Sequence, residues 1–234
     1  MQKKSIYYNA IIFLLLLGIG AGCQTNSSDP TLDDGAYFPL QTGDYWIYQV
    51  TQENYAGSSS AKKSVYQLQQ KIGNSYTQNG QLFYLLEESV KRSEQAGWQL
   101  SSIRTVYKNL KEVVSLEHNV PVVKLIFPVT STTSWNVNTY NAHADTVLRY
   151  ENTGKAFALN KLNFDRTVSA VGADDSTLVN QDRYRRVYAQ NVGLVYSENV
   201  SLAYCQSTPA CIGQALIESG YRQKWELIAS NRLP

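Results

Sequence analysis

Apolar and polar residues alternate along most of this 234-residue chain with a period of two, the spacing that puts successive side chains on opposite faces of a β-strand. In DYWIYQVTQE (44–53), Trp46, Tyr48 and Val50 share one face and Tyr45 and Ile47 the other. In QKWELIAS, Trp225, Leu227 and Ala229 oppose Lys224, Glu226 and Ile228. The same reading predicts strands over 64–73, 81–92, 98–109, 111–117, 120–129, 145–152, 161–172, 184–191, 193–204 and 219–230. The segment AKKSVYQLQQKI also has helical spacing, but its valine and tyrosine favour a strand. Asn79-Gly80, between Tyr76 and Leu82, supplies the positive φ angles of a tight hairpin, and Gly97, Asn109, Gly154, Gly172 and Gly193 mark other junctions. One packed face and one wet face is the habit of antiparallel sheets. The predicted fold is therefore all-β: a single antiparallel domain over residues 36–234, either a barrel or a sandwich.

The first 35 residues break this pattern. Lys3 and Lys4 precede an apolar run, Ile11 to Gly20, which has the layout of a secretory signal and is too short for a membrane span of about 20 residues. Gly20, Ala21 and Gly22 then lead into Cys23, and GAGC resembles the lipobox of bacterial lipoproteins. Leucine usually stands three residues before the cysteine, where this chain has Gly20. The resemblance implies removal of residues 1–22, lipidation of Cys23 as the first mature residue, and a membrane partner reached through that lipid. Gln24 in place of Asp after the cysteine implies an outer-membrane destination. Residues 24–35, QTNSSDPTLDDG, are too polar to bury surface that would offset their ordering, so 23–35 reads as anchor and flexible tether. Asp29, Asp33 and Asp34 form no continuous acidic run, which leaves periplasmic and cell-surface faces equally open.

Charge and cysteines follow from that division. The formal charge of +2 comes from 21 Lys+Arg against 19 Asp+Glu, and loss of Lys3 and Lys4 with the signal leaves the mature chain neutral. No basic stripe remains for nucleic acid, which demands clustered cations against phosphates. Once Cys23 is assigned to lipid, Cys205 and Cys211 in YCQSTPAC remain as a pair that a short loop can bring into a disulfide. They do not make a metal site, since zinc wants four ligands and no histidine is near in sequence.

Candidate chemistry is sparse. His118 lies in a turn between apolar strands, and His143 precedes Asp145 in a polar loop, with no G-x-S-x-G or H-E-x-x-H context. No catalytic residue, cofactor or metal is expected, and the chain reads as a non-enzyme. Asp174, Asp175 and Asp182 lack the ligand register of a calcium loop and read as a solvated turn. In DRYRRVY, Arg183 and Arg185 share a face opposite Arg186, which reads as a wet strand edge. Trp46, Trp98, Trp135 and Trp225 are the candidate ligand-binding residues, although large aromatics also fill β cores.

AYFPLQTGDYWIYQV (36–50), VKLIFPVTSTTSWNVNTYN (123–141), VYAQNVGLVYSE (187–198) and GYRQKWELIAS (220–230) are similar to the recurring blocks of uncharacterised envelope lipoproteins of Bacteroidota. That resemblance implies an envelope lipoprotein with a β-rich domain and brings no activity. Two roles are then expected. The first is a non-catalytic outer-membrane lipoprotein that works by contact with an envelope protein partner. The second is a carrier that holds a glycan or lipid in an aromatic-lined β cup.

Overall fold

The computed structural model describes residues 34–57 and 60–233. The signal, Cys23 and the tether up to Asp33 lie outside the described residues. Twelve strands carry the fold. The first six are β1 (Tyr45–Ala56), β2 (Lys62–Gln78), β3 (Gln81–Lys91), β4 (Gln99–Lys108), β5 (Glu112–Glu117) and β6 (Val120–Ile126). The second six are β7 (Ser134–Asn136), β8 (Val147–Leu159), β9 (Leu162–Ser176), β10 (Asn180–Ala189), β11 (Gly193–Tyr204) and β12 (Ile217–Ser230).

Each half is a meander, as strands joined by tight turns must be. Asn79 and Gly80 take φ of 51° and 77°, and His118 and Asn119 form a second such turn at 52° and 65°. The sheet order runs β6 through β1, then β12 through β7. Pairing of β1 with β12, from Trp46 opposite Ser230 to Ala56 opposite Ser219, joins the two halves. Because β6 and β7 are consecutive in the chain, the two ends of the sheet come back together. The result is a nearly closed barrel and not a sandwich.

Three contacts hold the β6/β7 seam. Val123 N donates to Val137 O at 2.9 Å, and Trp135 Nε1 donates to Val123 O at 3.2 Å. The Tyr150 hydroxyl accepts from Ile126 N at 3.0 Å and donates to Ile126 O at 2.7 Å. One hydroxyl thus satisfies both backbone groups of a residue at the end of β6. The rings of Trp135 and Tyr150 pack 4.7 Å apart behind it.

Two strands differ from expectation for a physical reason. Glu151, Lys155 and Phe157 mark register breaks between β8 and β9, where Asn152 and Gly154 adopt positive φ. Bulges of this kind bend a strand without ending it, so Gly154 lies inside β8. Gly172 likewise lies inside β9, where a Cβ would press on the Leu148 side chain. The three-residue β7 is too short to show a period.

The inward faces form one large core, with a second, small cluster of Val200, Leu202 and Tyr204 toward the β11–β12 loop. Trp46, Tyr48 and Val50 are buried, as the alternation predicts, together with Leu68, Leu125, Val168 and Leu227. The short 3-10 helix Asp34–Tyr37 and the following Phe38–Leu40 pack against one end of the barrel. Lys108 Nζ donates to Gly35 O and Phe38 O, both at 2.8 Å. Asp34 Oδ2 accepts from Val129 N at 3.0 Å. Asp34 and Gly35, expected in the tether, therefore belong to the folded unit. At the other end the Cys205–Cys211 disulfide closes the β11–β12 loop, with the Cα atoms 5.7 Å apart.

Replacing Tyr150 with Phe keeps the ring but strands the N–H and C=O of Ile126. The expected loss is about 1–3 kcal/mol, read as a lower urea midpoint with an unchanged slope.

Candidate functional site

The barrel interior is not uniformly apolar. Between the core and the N-terminal segment lies a cavity in which the centre of a water-sized molecule has about 70 Å³ to move. Phe38, Leu40, Trp46, Leu86, Leu194 and Trp225 supply apolar wall, while Arg104, Ser115, Lys124 and Arg186 supply polar groups.

Strand alternation aims these charges inward. Gln70, Glu88 and Ser102 lie opposite one another across β2, β3 and β4, and Leu86 lies opposite Arg104. Lys124 reaches the interior by another device. Val113 pairs with Leu125 and Val114 with Val123, so Lys124 is the extra residue of a bulge in β6. Arg186 on β10 sits between Ala170 and Ser197, whose small side chains leave room for the guanidinium.

A network links most of these groups. Arg104 pairs with Glu88 through Nη2, and its Nη1 lies 3.1 Å from Glu117 Oε1. Lys124 pairs with that same Glu117 oxygen. Glu88 also accepts from Gln70 Nε2 at 2.7 Å and Ser102 Oγ at 2.9 Å. Arg186 stacks over the Tyr184 ring, 5.1 Å from its centre, and hydrogen-bonds Tyr188.

The electrostatics of the cluster point one way. Burial favours the neutral acid of Glu117, yet Lys124, Arg104 and Arg186 outweigh it and hold the carboxyl at about 2. Burial, with repulsion from Arg186 and Arg104, outweighs the pull of Glu117 and lowers the Lys124 ammonium to about 7. The Glu117 shift expresses the cations around it, and the Lys124 shift expresses burial first and the neighbouring arginines second. Burial also raises Tyr188 to about 12 and raises Tyr184, so both phenols are neutral at physiological pH.

Among the described residues, five buried side-chain polar atoms have no hydrogen-bond partner, and four of them belong to residues lining this cavity: Arg104 Nε, Ser115 Oγ, Arg186 Nε and Trp225 Nε1. Buried polar groups in native proteins are nearly always paired. That four such residues border one space makes it the candidate site.

The comparisons with known proteins bear on shape. No family model and no curated protein matches the chain. Two solved structures resemble it. One is a Bacteroides fragilis protein described as exported and of YMCC-like fold, with a TM-score of 0.43, 10% identity, and 83% of this chain and 98% of that one covered. The other, from Parabacteroides distasonis, is described as a lipoprotein, with a TM-score of 0.41, 10% identity and the same coverages. The reading of the site rests on this chain's own residues.

The sequence candidates divide. Trp46 and Trp225 line the cavity, with Trp46 Nε1 donating to Val192 O at 2.6 Å. Trp135 is committed to the seam, and Trp98 is 39% exposed just ahead of β4, so neither joins the other two. The reading of Arg186 as part of a wet edge is overturned: β10 pairs on both sides, and Arg186 faces inward. Arg183 is on the outside, 2.8 Å from Asp174, and Arg185 covers the Phe157 ring. Asp182 accepts from Asn180, and Asp145 accepts from Asn136. Glu88, Arg104, Glu117 and Lys124 were missed. The legible signal was a charge in phase with the apolar face of a strand, plainest for Glu88, two residues after Leu86 in QLFYLLEESVKR; Lys124 gave none, since it alternates with the buried Val123 and Leu125.

Glu117→Gln leaves Lys124 and Arg104 facing each other with one carboxylate fewer. The expected cost is about 3–5 kcal/mol at pH 7, whereas Glu117→Gln with Lys124→Met is close to neutral. The pH sign is fixed by the shifts. Glu117, lowered from 4.5 to about 2, contributes stability that is present above pH 4.5 and lost as pH falls through 2. Lys124, lowered from 10.5 to about 7, destabilises the fold below pH 7, and that penalty fades as pH rises toward 10.5. Urea midpoints between pH 7 and 9 should therefore rise in the wild type and flatten in Lys124→Met.

Proposed function

We propose that this chain is a lipid-anchored, non-catalytic envelope lipoprotein whose barrel holds a small ligand in the cavity beneath the N-terminal segment. One observation carries the reading: a partly open space with aromatic walls is bordered by four residues that each hold a buried polar atom without a hydrogen-bond partner. Ligand pockets have this composition, mostly apolar with a few polar groups that fix orientation. The anchor follows from the GAGC leader, through Cys23 and toward the outer membrane.

The contact role has its own support at the far end of the barrel. Leu178, Val179, Ile212 and Leu216 are exposed there, with Leu178 against Gly213 of the disulfide loop. Joined into one contiguous patch, they would suit a protein contact. That end is distal to Asp34, where the tether enters.

Two experiments test these proposals. Cys23→Ser should abolish signal removal and membrane retention, read by mass spectrometry and fractionation; normal processing and retention would remove the anchor. A panel of glycans and short amphiphiles should shift tryptophan emission through Trp46 and Trp225, and Trp225→Phe should reduce that change by roughly half. An emission unmoved by every panel member defeats the cavity reading and leaves the contact role.

A further inference from the structure

The cavity reading above says that something binds; the charge inside says what. Two carboxylates, Glu88 and Glu117, stand against two permanent cations, Arg104 and Arg186, and against Lys124, which carries its charge only in part at neutral pH. Glu88 is occupied by Arg104, Gln70 and Ser102. Glu117 is occupied by Arg104 and Lys124. Among the described residues, no carboxylate lies within ion-pair distance of Arg186: Glu117 acts on it only at longer range, and its close companions Tyr184 and Tyr188 are neutral phenols. An arginine does not release its proton. A buried, unpaired cation is costly, and proteins pair such charges.

The partnerless atoms sharpen the requirement. Arg186 Nε, Arg104 Nε and Trp225 Nε1 are donors only, and Ser115 Oγ can donate as well. A ligand matching this set offers acceptors and one negative charge. A sugar fits less well, because its hydroxyls bring donors and both interior carboxylates are already engaged. A cation is excluded by the excess of positive charge.

We infer that the cavity is an oxyanion site, taking one carboxylate or singly charged phosphate on Arg186, with Arg104, Ser115 and Trp225 completing its hydrogen bonds. Such an anion offsets the charge of Arg186 and favours the charged form of Lys124. Its fork of acceptors matches the planar guanidinium. The room available admits a head group and a few carbons, with Trp46 and Leu194 beside the apolar part. The anion is either free in solution or the head of an amphiphile.

The test uses the full chain in neutral detergent micelles, titrated with hexanoate, hexyl phosphate, acetate, inorganic phosphate and hexanol while tryptophan emission is followed. Hexanoate or hexyl phosphate should bind on the order of 30-fold more tightly than hexanol, and Arg186→Met should remove that preference. Arg186→Lys, which keeps the charge but loses the fork, should fall between. Acetate or inorganic phosphate binding as well as its hexyl counterpart supports the site and identifies a free anion. Much weaker binding of the two small ions supports it and identifies an amphiphile's head. If hexanol binds as tightly as hexanoate, in wild type and Arg186→Met alike, the oxyanion site is overturned and the cavity reading stands. If no probe binds, hexanol included, both fall. Should Arg186→Met fail to fold, the wild-type ratio of hexanoate to hexanol decides, and a ratio near one overturns the proposal.

Discussion

The pairing of β1 with β12 is the constraint on which the rest of the structure depends. Each meander alone would be a twisted six-stranded sheet with two open edges. Hydrogen bonding the first strand to the last removes one edge from each half and curls the remaining two toward each other. Those edges, β6 and β7, then meet without a regular ladder. They are sealed by Val137, by the Trp135 indole and by the Tyr150 hydroxyl. An unsealed edge would present unpaired backbone groups to any passing strand. Aromatic side chains with a polar tip suit this seam, since they fill the core and still hydrogen-bond.

Closure also creates an interior whose composition is unusual for a core. A small barrel is filled by its own side chains, and most of this one is packed with tyrosine, tryptophan, leucine and valine. Against that background the cluster of Glu88, Arg104, Glu117, Lys124 and Arg186 stands out. Replacing such a cluster with apolar residues often costs nothing in stability. Its presence is better understood through what it faces than through what it stabilises. The N-terminal segment closes the same space from one end, held by Lys108 and by the side chain of Asp34. Fold and site thus share elements: the residues that finish the barrel also bound the cavity.

Much of this was legible in the chain. Period-two alternation located eleven of the twelve strands, and Asn79-Gly80 marked its hairpin, because both signals are local. The short β7 escaped because three residues carry no period. Gly154 and Gly172 were misread as junctions because a glycine inside a strand looks the same in sequence as one at its end. The site was less legible still. Trp46 and Trp225 were chosen for their size, and two other tryptophans of equal size turned out to serve a seam and a surface. The arginines of DRYRRVY were correctly divided between two faces, but the inner and outer faces were interchanged in importance. Lys124 escaped because its inward direction comes from a bulge, set by pairing with β5 and not by its own strand.

By itself, then, the sequence determined the antiparallel β class, the positions of eleven strands and the cysteine pair. Each is a matter of neighbouring residues: spacing, turn chemistry and short-range composition. Only the tertiary structure decided that the sheet closes as a barrel, that β10 is interior and not an edge, and that Arg104, Lys124 and Arg186 from three strands border one cavity while Glu88 and Glu117 pair with two of them. Those facts depend on which strands pair and in what register, and residues as distant as Glu88 and Arg186 acquire a common environment only when the two ends of the chain hydrogen-bond.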